Sequence, residues 1–293
     1  MAQAQTHDPA IYYVPHGTRW PILGSFALFF LLGGAAVGLN GLGVQGQISM
    51  LVGFALLVWM LFGWFGAVIR ESLAGYYNAQ VDVSFRMGMI WFIFSEVMFF
   101  AAFFGALFYT HWFTLPWLGG AGDGAATNAL LWPGFEAAWP SNGPANVGGA
   151  FETIPPWGLP LVNTLLLLAS GVTLTIAHHA LRAGERGKLL GWLGATVLLG
   201  VVFLIVQGYE YYHAYTALGL TLGSGIYGST FFMLTGFHGM HVTLGAIMLI
   251  VIWFRCAKGH FTRDHHFGFE AVAWYWHFVD VVWLGLFLFV YVV

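Results

Sequence analysis

Seven stretches of this 293-residue chain stay apolar for about 20 residues or more. A helix needs roughly 20 mostly apolar residues to cross a hydrocarbon core of about 30 Å. In lipid, a helix also satisfies its own backbone N–H and C=O groups. The stretches run approximately over 20–39, 48–69, 87–110, 159–180, 189–212, 229–254 and 270–293. They predict an all-α, polytopic membrane protein with seven transmembrane helices, in one domain over 1–293. The polar turn from Arg182 to Lys188 is short, so the fourth and fifth helices must lie adjacent and antiparallel. The composition agrees: 59% apolar and 18% aromatic residues stand against 7% Asp, Glu, Lys and Arg. A soluble domain carries about 25% charged residues, so this chain cannot clothe a water-facing surface. A soluble enzyme, a disordered chain and a nucleic-acid binder are excluded. Cys256 is the single cysteine, which rules out a disulfide framework and any cysteine-based zinc or iron–sulfur site.

The basic residues set the orientation. Arg19 precedes the first span, and Arg70 and Arg86 bracket the link between the second and third. Arg182, Arg186 and Lys188 lie between the fourth and fifth, and Arg255, Lys258 and Arg263 between the sixth and seventh. All fall on one side, so the N-terminus is expected inside and the C-terminus outside. About 19 polar or mixed residues, Asp8 among them, precede the first stretch, so it is read as a retained span rather than a cleaved signal. The long segment 111–158 falls on the outer side and carries Asp123, Glu136 and Glu152 but no Lys or Arg. It reads as an insertion folded over the outer face, or as a docking surface for a basic partner.

Ionisable residues at mid-depth are the informative ones, because a charge there costs about 2.5–3.5 kcal/mol on insertion scales. Glu96 lies ten residues after Arg86, about 15 Å into the third span, among Phe94, Phe99, Phe100 and Phe103. Such a carboxyl is either protonated or partnered. Asp280 sits at comparable depth in the seventh span, with His277 one turn earlier on the same face. His238 and His241 form another pair in the sixth span, and Glu210 and His213 a third near the outer end of the fifth. Three readings stand open. A metal or haem site lacks a second Glu-x-x-His, and the doublets His178-His179 and His265-His266 look isolated. An ion route through the chain lacks related halves or broken helices. Polar contacts between packed helices are the reading that physics alone favours.

On the inner face, Arg70, Glu71 and Ser72 end the second span, and Arg255, Lys258, His260 and Thr262 follow the sixth. Cations with hydroxyl donors suit an anionic phospholipid head group. Positive-inside charge explains the cations equally well, and the two readings stand level. Trp274, Trp276, Tyr209, Tyr211 and Tyr212 read as interfacial anchors. Gly33, Gly34, Ala35 and Ala36 suggest close helix packing in the first span.

Several runs carry a resemblance. The run His265-His266-Phe267-Gly268-Phe269-Glu270, continuing Ala273-Trp274-Tyr275-Trp276-His277-Phe278-Val279-Asp280-Val281-Val282-Trp283, is similar to the last helix of the third-subunit family of cytochrome c oxidase (haem–copper oxidase subunit III). Tyr227-Gly228-Ser229-Thr230-Phe231-Phe232 and Thr235-Gly236-Phe237-His238-Gly239-Met240-His241-Val242 resemble its sixth helix. Ser95-Glu96-Val97 with Phe99-Phe100 resembles its third. Pro160-Leu161-Val162-Asn163-Thr164-Leu165 and Ala177-His178-His179 resemble its fourth, and Ile69-Arg70-Glu71-Ser72 the end of its second. The matches cover about 65–293 in the family's order. The family's tryptophan pair before the second-helix arginine is kept only as Trp64-Phe65.

The resemblance implies two helix groups, the first two helices and the remaining five, with a lipid-filled cleft between them. It implies an accessory, non-redox subunit of an aa3-type cytochrome c oxidase, a proton-pumping enzyme of the respiratory chain. This chain would hold no catalytic centre, no metal and no cofactor; haem a and copper would lie in partner subunits. Its partners would be subunit 1 by direct packing, subunit 2 and the other subunits, and structural phospholipids. It would stabilise the catalytic subunit and sustain proton uptake. Glu96 matches the family's buried, carbodiimide-reactive carboxylate. Arg70, Glu71, Ser72, His241, Arg255, Lys258, His260 and Thr262 match lipid-holding positions, which tips the head-group reading. The long outer loop points to a bacterial inner membrane, with a cytoplasmic N-terminus and periplasmic C-terminus, in preference to the mitochondrial inner membrane. Related quinol oxidases have a five-span third subunit, so seven spans favour the cytochrome c enzyme. A free-standing transporter and a membrane metalloenzyme are the rivals from other classes.

Overall fold

The computed structural model describes residues 12–15, 17–41 and 43–293, and the described residues contain helices but no strand. The expectation that the N-terminal residues precede an uncleaved first span rests largely on 1–11, outside the described residues. Seven long helices are apolar enough to cross a membrane. They are α1 (Trp20–Leu39), α2 (Gly43–Leu73), α3 (Ala79–Tyr109), α4 (Leu159–Ala183), α5 (Arg186–Thr216), α6 (Gly225–Ala257) and α7 (Phe267–Leu286).

All seven expected spans are present, and most helices run past the apolar stretches that announced them. Hydropathy marks the segment that sits in hydrocarbon, whereas the helical hydrogen-bond ladder continues into the polar layer. Arg86 therefore lies within α3, paired with Asp82 at 2.6 Å across one turn, and the link between α2 and α3 shrinks to 74–78. At the other end, α3 continues through a π-helical turn, Thr110–Thr114, and a short turn, Leu115–Leu118.

The chain forms two compact units, residues 1–87 and 88–293. In the first, α1 and α2 make a hairpin in which backbone meets backbone. A Cβ on Gly34 would lie 2.6 Å from Met50 N, and one on Gly46 2.7 Å from Gly34 O. Gly53 lies equally close to Ala27 and Leu31. Lipid tails are as apolar as Leu, so close van der Waals approach of this kind is what holds membrane helices together. Ser49 Oγ donates across the pair to Phe30 O at 2.8 Å. Of the four small residues expected to pack in α1, Gly34 alone is buried, and Gly33 faces open space. The partners are glycines of α2 spaced a helical repeat apart, which the reading of α1 by itself overlooked. The outward faces carry exposed Phe26, Phe29, Phe54 and Phe62, as lipid contact requires.

In the second unit α7 is the innermost helix, with 61% of its most apolar window buried. Trp276 is fully buried and joins three neighbours at once. Its Nε1 donates to Ser170 Oγ of α4 at 2.9 Å. Its ring fills slots left by Gly200 of α5 and Gly245 of α6, where a Cβ would approach within 2.6 and 2.8 Å. Two turns on, Trp283 repeats the arrangement: Nε1 donates to Thr164 Oγ1 at 2.9 Å, and its ring meets Phe203 and His238. Both indoles thus bury their apolar bodies while their N–H groups find acceptors. Trp276 is therefore a core wedge, not the interfacial anchor its position suggested. Tyr211 likewise turns inward to Thr235 Oγ1 (2.6 Å), while Tyr209 and Tyr212 remain exposed.

From Gly88 onward, α3 packs differently, through rings. Phe99, Phe100 and Phe103 meet Phe237, His241 and Phe278 with centroids between 5.0 and 6.1 Å apart. The segment between α3 and α4 is an ordered cap. Asn128 Nδ2 reaches Leu118 O at 3.0 Å, Tyr227 N donates to Ser141 O at 3.1 Å, and Glu152 N to Leu218 O at 2.9 Å. Trp139 stacks on His111, and Phe151 on Tyr227.

Candidate functional site

The ionisable residues singled out at mid-depth lie mainly between helices. Glu96 Oε2 of α3 meets His241 Nε2 of α6 at 2.9 Å. His241 Nδ1 lies 2.6 Å from Phe237 O. A carbonyl accepts and cannot donate, so Nδ1 carries a hydrogen. The Glu96–His241 contact then shares a single proton. Either a carboxylic acid meets a neutral imidazole, or a carboxylate meets an imidazolium. Both forms are neutral as a pair, which removes most of the cost of a lone charge in lipid.

The His238–His241 pair diverges. His238 Nε2 turns to Val279 O of α7 at 3.0 Å, and its Nδ1 is buried without a partner. Asp280 and His277 share a face as expected. Both press on Gly171 of α4, whose Cβ would lie 3.0 Å from Asp280 Oδ2 and 3.5 Å from His277 Nδ1. Glu210 is buried, not close to water, and its Oε1 accepts a short hydrogen bond from the Tyr291 hydroxyl. His213 is exposed and does not pack with it, which corrects its place among the helix-packing polar residues. The spacing of Glu210 and His213 does not disclose which of the two Tyr291 covers.

The residues proposed for lipid fall in both units. Arg70, Glu71 and Ser72 belong to the first unit, where Tyr77 OH donates to Glu71 Oε2 at 2.8 Å. Burial and the Glu71 carboxylate push the Tyr77 hydroxyl well above its usual range, so it remains a donor. In the second unit, the Arg255 guanidinium lies 4.3 Å over the Phe261 ring, with Lys258 and Thr262 exposed and His260 half-buried. Partial burial, then Arg255 and Lys258, lower the His260 pKa. His241 stands 14 residues before Arg255 on α6, about 21 Å along the axis, and belongs with Glu96 instead.

The basic end of the second unit does more than carry charge. Arg263 Nη2 donates to Ala183 O, the last residue of α4, at 2.9 Å, and Arg186 Nη2 donates to Ala257 O, the last of α6. Each guanidinium caps orphan carbonyls at the negative end of a helix dipole. A cavity of about 250 Å³ opens beside Arg186, Arg263, Phe261 and Thr262. The His178 and His266 doublets are not isolated either: one imidazole of each lies near Glu270 of α7, His266 Nε2 at 3.2 Å and His178 Nε2 at 3.7 Å from its Oε1. His266 and Glu270 stand one turn apart, a signal present in the sequence, but its link to His178 depends on how α4 meets α7.

Fold and side chains together define a polytopic helical membrane protein with most of its mid-depth ionisable groups drawn inward and much of its apolar surface turned out. The model of one family, described as cytochrome c oxidase subunit III, matches residues 11–123 and 128–293. The chain is 40% identical over 287 residues to cytochrome c oxidase subunit 3 of Raphicerus melanotis and to that of Gadus morhua, covering 98% of each chain. It is 40% identical over 286 residues to the Danio rerio protein of the same name, covering 97% of this chain and 98% of the relative. The chain belongs to the cytochrome c oxidase subunit III family.

Proposed function

We propose that this chain is the accessory, non-redox subunit of an aa3-type cytochrome c oxidase. The observation that carries the reading is a family match running nearly end to end through a seven-helix chain. In this role the chain packs on subunit 1, stabilises it and sustains its proton uptake, within a complex that includes subunit 2. Haem a and copper reside in the partners. The neutral Glu96–His241 pair supports a structural or proton-holding part for this chain rather than a redox one. Phospholipid head groups are held by Arg70, Glu71 and Ser72 in the first unit, and by Arg255, Lys258, His260 and Thr262 in the second. The cavity at the basic end and the cation over Phe261 support the second of these. The basic ends face the cytoplasm of a bacterial inner membrane, with the C-terminus periplasmic.

Gentle-detergent purification through a tag on this chain tests the reading. Larger haem-bearing chains should come with it, in fixed proportion. A colourless chain that purifies alone and moves ions in liposomes would overturn it in favour of a transporter.

A further inference from the structure

Three side chains that the proposed function leaves unused converge at the basic end of the second unit. His178 is in the next-to-last turn of α4, His266 precedes α7, and Glu270 is in the first turn of α7. Their ligating atoms all lie within 4.8 Å of one another. His178 Nε2 and His266 Nε2 are 3.2 Å apart, and Glu270 Oε1 lies 3.2 Å from His266 Nε2 and 3.7 Å from His178 Nε2. A point equidistant from the three atoms is about 2.0 Å from each. Zinc bonds to imidazole nitrogen and carboxylate oxygen are about 2.0–2.2 Å long.

The protonation pattern agrees. His266 Nδ1 lies 3.1 Å from Thr262 O, so Nδ1 carries a hydrogen and the neutral ring presents its lone pair at Nε2. That lone pair faces both the Glu270 carboxylate oxygen and His178 Nε2, an arrangement that a cation among the three atoms satisfies, as does a proton held within the cluster. A histidine ligand oriented through its other nitrogen by a carbonyl is the usual outer-shell arrangement of metal sites. The His178 ring is steadied by Phe269 at 5.3 Å. The side chains of His178 and Glu270 keep 28% and 16% exposure, which leaves a path for an ion and room for water as a fourth ligand.

We propose that His178, His266 and Glu270 form a binding site for zinc or a similar divalent transition ion, tying the end of α4 to the start of α7. Two imidazoles and one carboxylate select such ions over magnesium and calcium, which prefer all-oxygen shells. The test uses the chain solubilised with its natural partners and equilibrated with zinc chloride. Metal analysis should find one further zinc per chain in the unaltered protein than in His266→Asn or Glu270→Gln. A second measurement needs no variant. Zinc should slow diethyl pyrocarbonate modification of His178 and His266 about tenfold, while the exposed His265 reacts equally with and without zinc. Equal zinc content in all proteins, or equal modification of His178 and His266 with and without zinc, overturns the proposal.

Discussion

The Trp276 wedge makes a quantitative prediction through two glycines of the same helix. A Cβ at Gly200 would sit 2.6 Å from Trp276 Cη2, and the ring cannot retreat, because Gly245 already holds its opposite side. A Cβ at Gly194 would meet Trp253 Nε1 at 3.5 Å, an ordinary contact. Replacing either glycine with alanine gains the same helix propensity, about 1 kcal/mol. That gain cancels in the comparison, which leaves the overpacking at Gly200, about 1–3 kcal/mol. For a unit of this size, each kcal/mol moves a thermal midpoint by about 2–4 °C. Gly200→Ala should therefore release from the detergent-solubilised complex at a midpoint about 2–12 °C below that of Gly194→Ala. The assay is heating followed by quantification of this chain in the soluble complex. A midpoint for Gly200→Ala equal to or above that of Gly194→Ala would refute the wedge.

Further outcomes follow from the other sites. Glu96→Gln keeps a hydrogen-bonding partner for His241 and should leave both haem content and midpoint near unchanged, whereas Glu96→Leu should cost about 0.6–1.7 kcal/mol; loss of the haem spectrum in Glu96→Gln would count against an accessory role. Arg255→Ala should lower the phospholipid phosphorus that survives purification, and unchanged phosphorus would sink the head-group assignment. The lowered pKa of His260 means that the unfolded chain binds the proton more readily than the folded one. Its contribution to stability is complete above the unfolded value of about 6.5 and is lost as the pH drops from there through the lower folded value. His260→Gln should therefore flatten the thermal midpoint between about pH 7.5 and pH 5; a fall as steep as in the unaltered chain would contradict the assignment.

Hydropathy placed every span, because the length of an apolar run is a local property that lipid enforces directly. It placed helix ends less well, since nothing in hydropathy separates a polar helical turn such as Asp82–Arg86 from a loop. The positions of Glu96 and Asp280 near the middle of their helices were legible, but partnership was not. His241 and Glu96 lie 145 residues apart in sequence, and only packing brings them to 2.9 Å. The same limit explains Trp276, whose slots at Gly200 and Gly245 belong to two other helices. It also explains His178, His266 and Glu270, where the His266–Glu270 spacing was visible and the third member was not. Conversely, the His213 side chain was credited with packing on spacing alone and proved exposed.

The order in which the chain is made gives the position of α7 a consequence for biogenesis. The first hairpin closes on its own glycines and on Ser49, so its contacts are complete once α2 has been synthesised. In the second unit α4 and α5 also meet early, through Thr173 and Thr196 at 2.8 Å, but that pairing leaves the core open. Its keystone helix is made after α4, α5 and α6, and until Trp276 and Trp283 arrive, Gly200, Gly245, Ser170 and Thr164 lack the side chains they are shaped to receive. Helices α4 to α6 therefore wait in the bilayer paired but with these slots unfilled, and a chain cut short before α7 should be a substrate for membrane proteases rather than a slightly smaller version of the same protein.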